Sequence, residues 1–290
     1  MRFQIEESNL TALGADLQSR LAVARARLRG TGGVLVAFSG GGDSTLLAAL
    51  AVAELADRAL AVTALSPTYP RQEQDEAAAL AVWLGIRHMT VESNELEIPG
   101  FADNPPNRCY YCKSELFGLL RRLAAEQGLS CVVDGTNLDD LGDYRPGRQA
   151  AGECGVVSPL LEARLTKADV RSVSRALGLP TAAKPALACL ASRFPYGTTI
   201  TPEKLAAVDA LEMALRQLGF AVVRVRHHGD VARIEVGPDE LPKLLAADVR
   251  ARVTAAGRTA GFRYVAADLE GYRTGSLNET LGVKGGADAV

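Results

Sequence analysis

The sequence predicts an α/β protein: a parallel sheet covered by helices on both faces, followed by a smaller α+β unit. Three observations lead there. Short apolar runs alternate with helical stretches between Val34 and Gly135, the order of a parallel sheet whose crossovers are helices. The first run passes into a glycine-rich turn that opens a helix, Val34-Leu35-Val36-Ala37-Phe38-Ser39-Gly40-Gly41-Gly42-Asp43-Ser44-Thr45. Beyond Pro180 the alternation stops, and a helix leads into two strands joined by a polar turn.

Taken in order, Ser8 to Arg29 carries helical periodicity through Leu10, Leu13, Leu17, Leu21 and Leu28. Val34 to Phe38 reads as the first strand and Ser44 to Leu55 as an Ala- and Leu-rich helix. A second strand is expected at Ala59 to Leu65, a helix at Gln72 to Leu84, and a third strand at Arg87 to Val91. Ser114 to Gln127 reads as a helix, and Cys131 to Asp134 as a buried strand ending at Gly135. Ligands of such sheets bind beyond the carboxyl ends of the strands. The first loop, Ser66-Pro67-Thr68 and Asp134-Gly135-Thr136-Asn137 all fall there. In the second unit, a helix from Pro202 to Leu218 precedes strands at Ala221 to Val225 and Val231 to Val236, with His227-His228-Gly229-Asp230 between them. Helical sequence then runs to about Ala256, and a last strand is expected near Phe262 to Ala266. The expected division is 1–185 for the sheet domain, 186–275 for a small substrate-binding or oligomerisation domain, and 276–290 for a flexible tail.

The 290 residues allow one large domain or two of ordinary size. A net charge of -2 supplies no global field to recruit nucleic acid or acidic membranes. No apolar run approaches the roughly 20 residues that span a bilayer, and Met1-Arg2-Phe3-Gln4-Ile5-Glu6-Glu7 lacks the basic start and apolar core of a signal peptide. A cytoplasmic protein is expected, and its five cysteines then suit metal or thiol chemistry better than a disulfide framework.

The glycine loop reads as a nucleotide phosphate site. Glycines let backbone approach an anion closely, and helix-start amides have no intrahelical acceptor. Ser39, Ser44 and Thr45 add hydroxyl donors. The lysine of G-x-x-x-x-G-K-[ST] is missing, and the spacing of G-x-G-x-x-G does not fit. Asp43 stands in the turn instead, which suits phosphates bridged by Mg²⁺ through hard oxygen ligands.

Cys109-Tyr110-Tyr111-Cys112 sets a C-x-x-C at the mouth of a helix, where thiolates gain from the amide dipoles. Such a pair serves as half a zinc site, as a redox pair, or as two ligands of an iron–sulfur cluster; a second half for zinc is missing. A [4Fe–4S] cluster with one open iron needs one further thiol, and Cys189 is the candidate. Cys131 and Cys154 sit in apolar surroundings as small hydrophobes do. Arg224-Val225-Arg226 places two guanidinium groups on one strand face, a pair able to hold phosphate.

Ser39-Gly40-Gly41-Gly42-Asp43-Ser44 resembles the S-G-G-x-D-S loop of the PP-loop ATP pyrophosphatases, whose sheet is of the adenine nucleotide alpha hydrolase type. These proteins split ATP between its α and β phosphates and adenylate a substrate. Pro105-Pro106-Asn107-Arg108-Cys109-Tyr110-Tyr111-Cys112-Lys113, Asp134-Gly135-Thr136-Asn137, Cys189-Leu190-Ala191-Ser192-Arg193 and Arg224-Val225-Arg226-His227-His228-Gly229 together resemble the LarE family. The likeness runs from about Val34 to Leu277; Gly42, often a larger residue in the superfamily, is its one mild departure.

That resemblance implies a sulfur transferase serving the nickel-pincer nucleotide cofactor of lactate racemase. Ser39, Gly40, Gly41, Gly42, Asp43, Ser44, Gly135 and Asn137 would hold ATP and Mg²⁺. Ser192, Arg193, Glu212, Arg224 and Arg226 would hold the phosphate of pyridinium-3,5-biscarboxylic acid mononucleotide. Asp43 and Cys189 would be catalytic, and Cys109, Cys112 and Cys189 would hold a [4Fe–4S] cluster carrying the transferred sulfide. The runner-up is sacrificial chemistry, with Cys189 itself the sulfur donor and dehydroalanine its residue. The same family implies a homo-oligomer up to a hexamer, other cofactor-biosynthesis proteins as partners, and an undefined sulfide source. Neither a membrane nor nucleic acid is expected as a partner. A tRNA-thiolating enzyme on the same loop is the competing function, and glutamine-dependent amidotransfer is a weaker one.

Overall fold

The computed structural model describes residues 2–141, 146–185, 188–273 and 276. The chain clusters into two compact units, one of Met1–Ser66, Arg71–Ser93 and Cys109–Leu187, the other of Pro67–Pro70, Asn94–Arg108 and Ala188–Val290. The linear division at 185 therefore misses two stretches of the N-terminal half. Their hydrogen bonds explain where they belong. Leu190 N–H donates to Thr68 O at 2.7 Å, Ile200 N–H to Ala102 O at 2.9 Å and Gly197 N–H to Asn104 O at 3.0 Å. The buried Asn104 amide donates to Phe194 O and Pro195 O at 3.2 and 2.8 Å.

The first unit holds α1 (Glu7–Leu10), α2 (Ala15–Arg29), β1 (Val34–Ala37), α3 (Gly42–Leu55), β2 (Ala59–Leu65), α4 (Arg71–Leu84) and β3 (Arg87–Glu92). It continues with α5 (Arg108–Glu126, from Cys109 on), β4 (Cys131–Val133), α6 (Pro146–Glu153), α7 (Pro159–Glu162) and α8 (Lys167–Ala176). The four strands are parallel in the order β3-β2-β1-β4. Alternation along β1 divides the core: Val34 and Val36 join the cluster of α2, α3 and α8, whereas Leu35 joins Leu60, Val62, Val132 and the apolar side of α5. Each such fully buried aliphatic side chain stabilises the fold by about 1.5–3 kcal/mol. Helix α3 is buried on nearly every side, as a helix inside a larger fold must be if it is apolar all round.

Two sequence expectations change here. The periodic stretch from Ser8 breaks between Thr11 and Gly14, and Gly14 caps α2. Helix α5 begins six residues before Ser114, so Cys109 and Cys112 lie inside its first turns. Pro105 and Pro106 precede that start, and Arg108 N–H donates to Pro105 O at 3.0 Å. Helices α6, α7 and α8 carry no earlier expectation, although Thr166 and Asp169 form a reciprocal capping box at α8.

The second unit holds α9 (Pro202–Gln217), β5 (Val223–His228), β6 (Val231–Val236), α10 (Leu241–Leu245), α11 (Ala247–Thr259) and β7 (Tyr264–Ala267). β5 and β6 are antiparallel, and β6 pairs in parallel with β7. The expected end of β5 at Val225 extends to His228, which leaves Gly229 and Asp230 as the turn, Gly229 with φ +62°. His227 is therefore strand, not turn: its ring stacks on Phe194 at 5.0 Å and meets Phe262 edge-on at 5.4 Å. Among the described residues no helix is long and apolar enough to cross a membrane. The expected tail at 276–290 lies outside the described residues, except for Ser276.

Candidate functional site

In the first unit, β1 delivers the glycine loop to the start of α3. Gly40 alone of the three glycines takes positive φ, +68°, and a Cβ there would meet Ala77 at 3.0 Å. Gly41 is the extended N-cap and Gly42 the first helical residue. The loop is braced by its own hydroxyls: Ser39 and Ser44 Oγ stand 3.1 Å apart, and Ser44 Oγ donates to Gly41 O at 3.2 Å. The amides of Gly42, Asp43 and Ser44, at the start of α3, have no carbonyl behind them in the helix.

Asp43 is the meeting point. Its Oδ1 accepts from Asn137 Nδ2 at 3.3 Å and its Oδ2 from Lys167 Nζ at 2.5 Å. Asn137 comes from the loop after β4, and Lys167 is the first residue of α8. Gly135 passes so close that a Cβ would stand 2.9 Å from Ser44 N and 3.0 Å from Asp43 C. Lys184 adds a second cation, donating to Gly40 O at 3.1 Å and pairing with Glu73 and Glu76 at 3.0 and 2.8 Å. The lysine absent from the loop sequence is thus replaced by two from elsewhere. At Gly42 a Cβ would meet Thr181 O at an ordinary 3.4 Å, so a methyl group would be accommodated there. The buried hydroxyls of Thr45 and Thr181 have no partner among the described residues. With the amides and two lysines, this donor set fits phosphates, and Asp43 fits a hard cation beside them.

All five cysteines are thiols, unlinked by disulfides. Cys109 is exposed and Cys112 half-buried in the first turns of α5, whereas Cys189 belongs to the second unit. Among the described residues no three His, Cys, Asp or Glu side chains stand close enough together to hold a metal ion. Cys131 and Cys154 border the apolar cores as small hydrophobes, and burial raises the Cys131 thiol pKa. Arg108, just before Cys109, is buried with its Nε and Nη1 lacking partners among the described residues, its guanidinium 5.0 Å from the Tyr196 ring.

In the second unit, Cys189 sits at the start of a short 3-10 turn, Leu190–Arg193. Its carbonyl accepts from Ser192 N–H at 3.0 Å, Ser192 Oγ at 2.7 Å and Arg193 Nη1 at 3.1 Å. Arg193 is 1% exposed and also donates to Ala188 O at 2.7 Å. Its other edge forms a bidentate pair with Glu212 of α9, at 2.8 and 2.9 Å. Burial pushes the Glu212 carboxyl up, but the adjacent Arg193 charge and hydrogen bonds outweigh it and hold the pKa below the usual range. Arg224 and Arg226 share one face of β5, facing Glu235 and Arg233 of β6 in register. Arg226 makes a second bidentate pair, with Glu235 at 2.9 and 2.7 Å, and donates to Ser192 O at 2.9 Å. Arg224 stacks over Tyr272 at 5.0 Å; burial first, and then Arg193, lower its pKa.

The structure therefore gathers Ser39, Gly40, Gly41, Gly42, Asp43, Ser44, Gly135 and Asn137 in the first unit, and Cys189, Ser192, Arg193, Glu212, Arg224 and Arg226 in the second. Lys167 and Lys184 carry no motif that announces them. Only the capping box beside Lys167 is readable, and it reports a helix start rather than a ligand.

A family model for NAD synthase matches residues 20–99. An uncharacterized protein of Synechocystis sp., slr1717, is 48% identical over 247 residues, 85% of this chain and 92% of the relative. The pyridinium-3,5-bisthiocarboxylic acid mononucleotide synthase of Lactiplantibacillus plantarum is 41% identical over 268 residues, 92% of this chain and 96% of the relative. The uncharacterized protein MJ0830 of Methanocaldococcus jannaschii is 29% identical over 241 residues, 83% and 91% of the two chains. With identity at that level over nearly the whole of both chains, and with a PP-loop built around Asp43, the chain belongs to the LarE family, that of pyridinium-3,5-bisthiocarboxylic acid mononucleotide synthase.

Proposed function

We propose that this chain is an ATP-dependent, AMP-forming sulfur transferase. It adenylates carboxylates of pyridinium-3,5-biscarboxylic acid mononucleotide and converts them to thiocarboxylates. What carries the reading is the 41% identity to a named synthase, together with the convergence of Lys167 and Asn137 on Asp43 at a glycine loop. Mg²⁺ held at Asp43 would neutralise charge on the pyrophosphate leaving group. The chain's own part is to orient: the loop amides, Lys184 and Lys167 are the donors that would fix the phosphates, and Asp43 is the carboxylate that would hold the cation. Adenylation turns a carboxylate oxygen, a poor leaving group, into AMP.

Sulfur enters through Cys189. Its thiolate attacks the acyl carbon, a C–S bond forms, and AMP leaves with the C–O electron pair. Transfer of the Cys189 α-proton to solvent then breaks its Cβ–S bond, the electron pair leaving with sulfur, which gives a thiocarboxylate and dehydroalanine. Ser192 and Arg193 hold the backbone from which that thiol projects, and Arg224 and Arg226 supply positive charge for the substrate phosphate. A [4Fe–4S] cluster on Cys109, Cys112 and Cys189 is the other donor that the cysteine set suggests. No three ligands converge among the described residues. A cytoplasmic homo-oligomer, up to a hexamer, working beside other cofactor-biosynthesis proteins completes the proposal; sedimentation checks the oligomer.

Intact-chain mass spectrometry across one turnover with ATP, Mg²⁺ and the dicarboxylate tests the reading. Loss of one sulfur and two hydrogens identifies a consumed cysteine, and its absence in Cys189→Ala places it at Cys189. An unchanged mass with bound iron and continued product identifies the cluster. No AMP at all would sink the proposal.

A further inference from the structure

The second unit contains a cavity of about 240 Å³ whose walls include Arg193, Arg226, His228, Arg233, Glu235 and Asp268. Its arginines differ in how firmly they are held. Arg193 and Arg226 each spend a full guanidinium edge on a buried carboxylate. Arg233 does not. It touches Glu235 through Nη2 at 3.1 Å and Asp268 through Nη1 at 3.1 Å, and its buried Nε has no partner among the described residues. It also stands directly opposite Arg226 across the β5–β6 ladder. Like charges so placed repel, and Glu235 Oε1, accepting from both at 2.9 and 3.1 Å, is their bridge. The side chain of Arg233 is 40% exposed, against 8% for Arg226.

We propose that Arg233 is a substrate-positioning residue, gripping a phosphomonoester dianion in this cavity by exchanging Asp268 for the phosphate. The inference rests on the reading that this unit takes the phosphate of a mononucleotide, and adds a residue which that reading lacks. An anion in the cavity gives the orphaned Nε its acceptor and screens the Arg226–Arg233 repulsion. Nε and Nη2 form one guanidinium edge, so a tetrahedral dianion there accepts from both, with Nη2 shared with Glu235, and takes over from Asp268 on Nη1 as the charge partner. His228, on the same strand face, stays neutral there, since burial and then Arg233 and Arg226 lower its pKa. It offers a hydrogen bond without competing charge.

Arginine side-chain Nε–H resonances in ¹⁵N-labelled full-length protein test this, with inorganic phosphate as the probe. The Arg233 signal is the one that disappears in Arg233→Lys. It should shift and saturate with phosphate, whether or not the glycine loop also binds phosphate. Asp268→Asn should lower the half-saturating concentration several-fold, and Arg233→Gln should raise that of the remaining arginine signals about tenfold. If the Arg224 and Arg226 signals move while that of Arg233 stays, the role of Arg233 falls and the phosphate reading stands. If no arginine signal in this unit moves, both fall.

Discussion

The glycine loop and the arginine-lined sheet face handle charge in opposite ways. Around the loop, Asp43 and Lys167 keep side-chain exposures of 26% and 23% and meet through single contacts. In the second unit, Arg193 and Glu212 beside the sheet are 1% and 0% exposed, and Arg226 and Glu235 on it are 8% and 2%. Both guanidinium groups are doubly bonded to their carboxylates. A half-wet single contact exchanges partners at little cost, whereas a buried bidentate pair does not. The first region is suited to reorganise around ATP and a cation, the second to present a fixed scaffold.

The largest effect should come from breaking the scaffold. Glu212→Gln leaves Arg193 charged and buried without its carboxylate, which should destabilise the second unit by about 3–5 kcal/mol in urea unfolding. An unaltered midpoint would show that the lattice is not fixed. Because the Glu212 pKa is lowered in the folded chain, its contribution is complete above its unfolded value of about 4.3 and is lost as pH falls through the folded value. The wild type should therefore lose stability more steeply than Glu212→Gln below about pH 4.3.

Next comes Asp43→Asn, which should slow AMP formation about 10²–10³-fold, the scale of losing one preorganised electrostatic group, while leaving the melting curve in place. Lys167→Ala should weaken ATP by about 10–100-fold, as expected for a charge-assisted hydrogen bond, read as KM for ATP. A loss of stability instead would mean that Lys167 is scaffold and would erase the contrast between the regions. Gly135→Ala puts a methyl group 2.9 Å from Ser44 N and should cost about 1–3 kcal/mol through backbone displacement. The smallest effect belongs to Gly42→Ala, whose nearest contact is an ordinary 3.4 Å; stability should change by no more than about 0.5 kcal/mol.

What the sequence disclosed and what it hid divide along sequence distance. The strand, the glycine turn, Asp43 and the start of α3 lie within a dozen consecutive residues, so local geometry alone makes them readable. Lys167 reaches Asp43 across 124 residues and Lys184 reaches Gly40 across 144. An ordinary lysine carries no local sign of such a target. The shared face of Arg224 and Arg226 followed from strand alternation, and the register agrees. That Arg193 points inward to hold the Cys189 turn did not follow, because its partner Glu212 sits on a helix whose rotation only packing decides. The early start of α5 was hidden by the cysteines and tyrosines in its first turns, which are indifferent helix formers.

The contribution of Asn94–Arg108 to the second unit has a consequence for synthesis of the chain. Asn104 waits for backbone acceptors 90 and 91 residues downstream. At about 5–20 residues per second on the ribosome, that segment spends roughly 5–20 seconds with no native place to go. Ordered folding from the N-terminus can complete the parallel sheet during that time but not the cysteine-bearing turn, whose surroundings close only after the chain passes Ile200. The turn that carries Cys189 is among the last features of the molecule to acquire its setting.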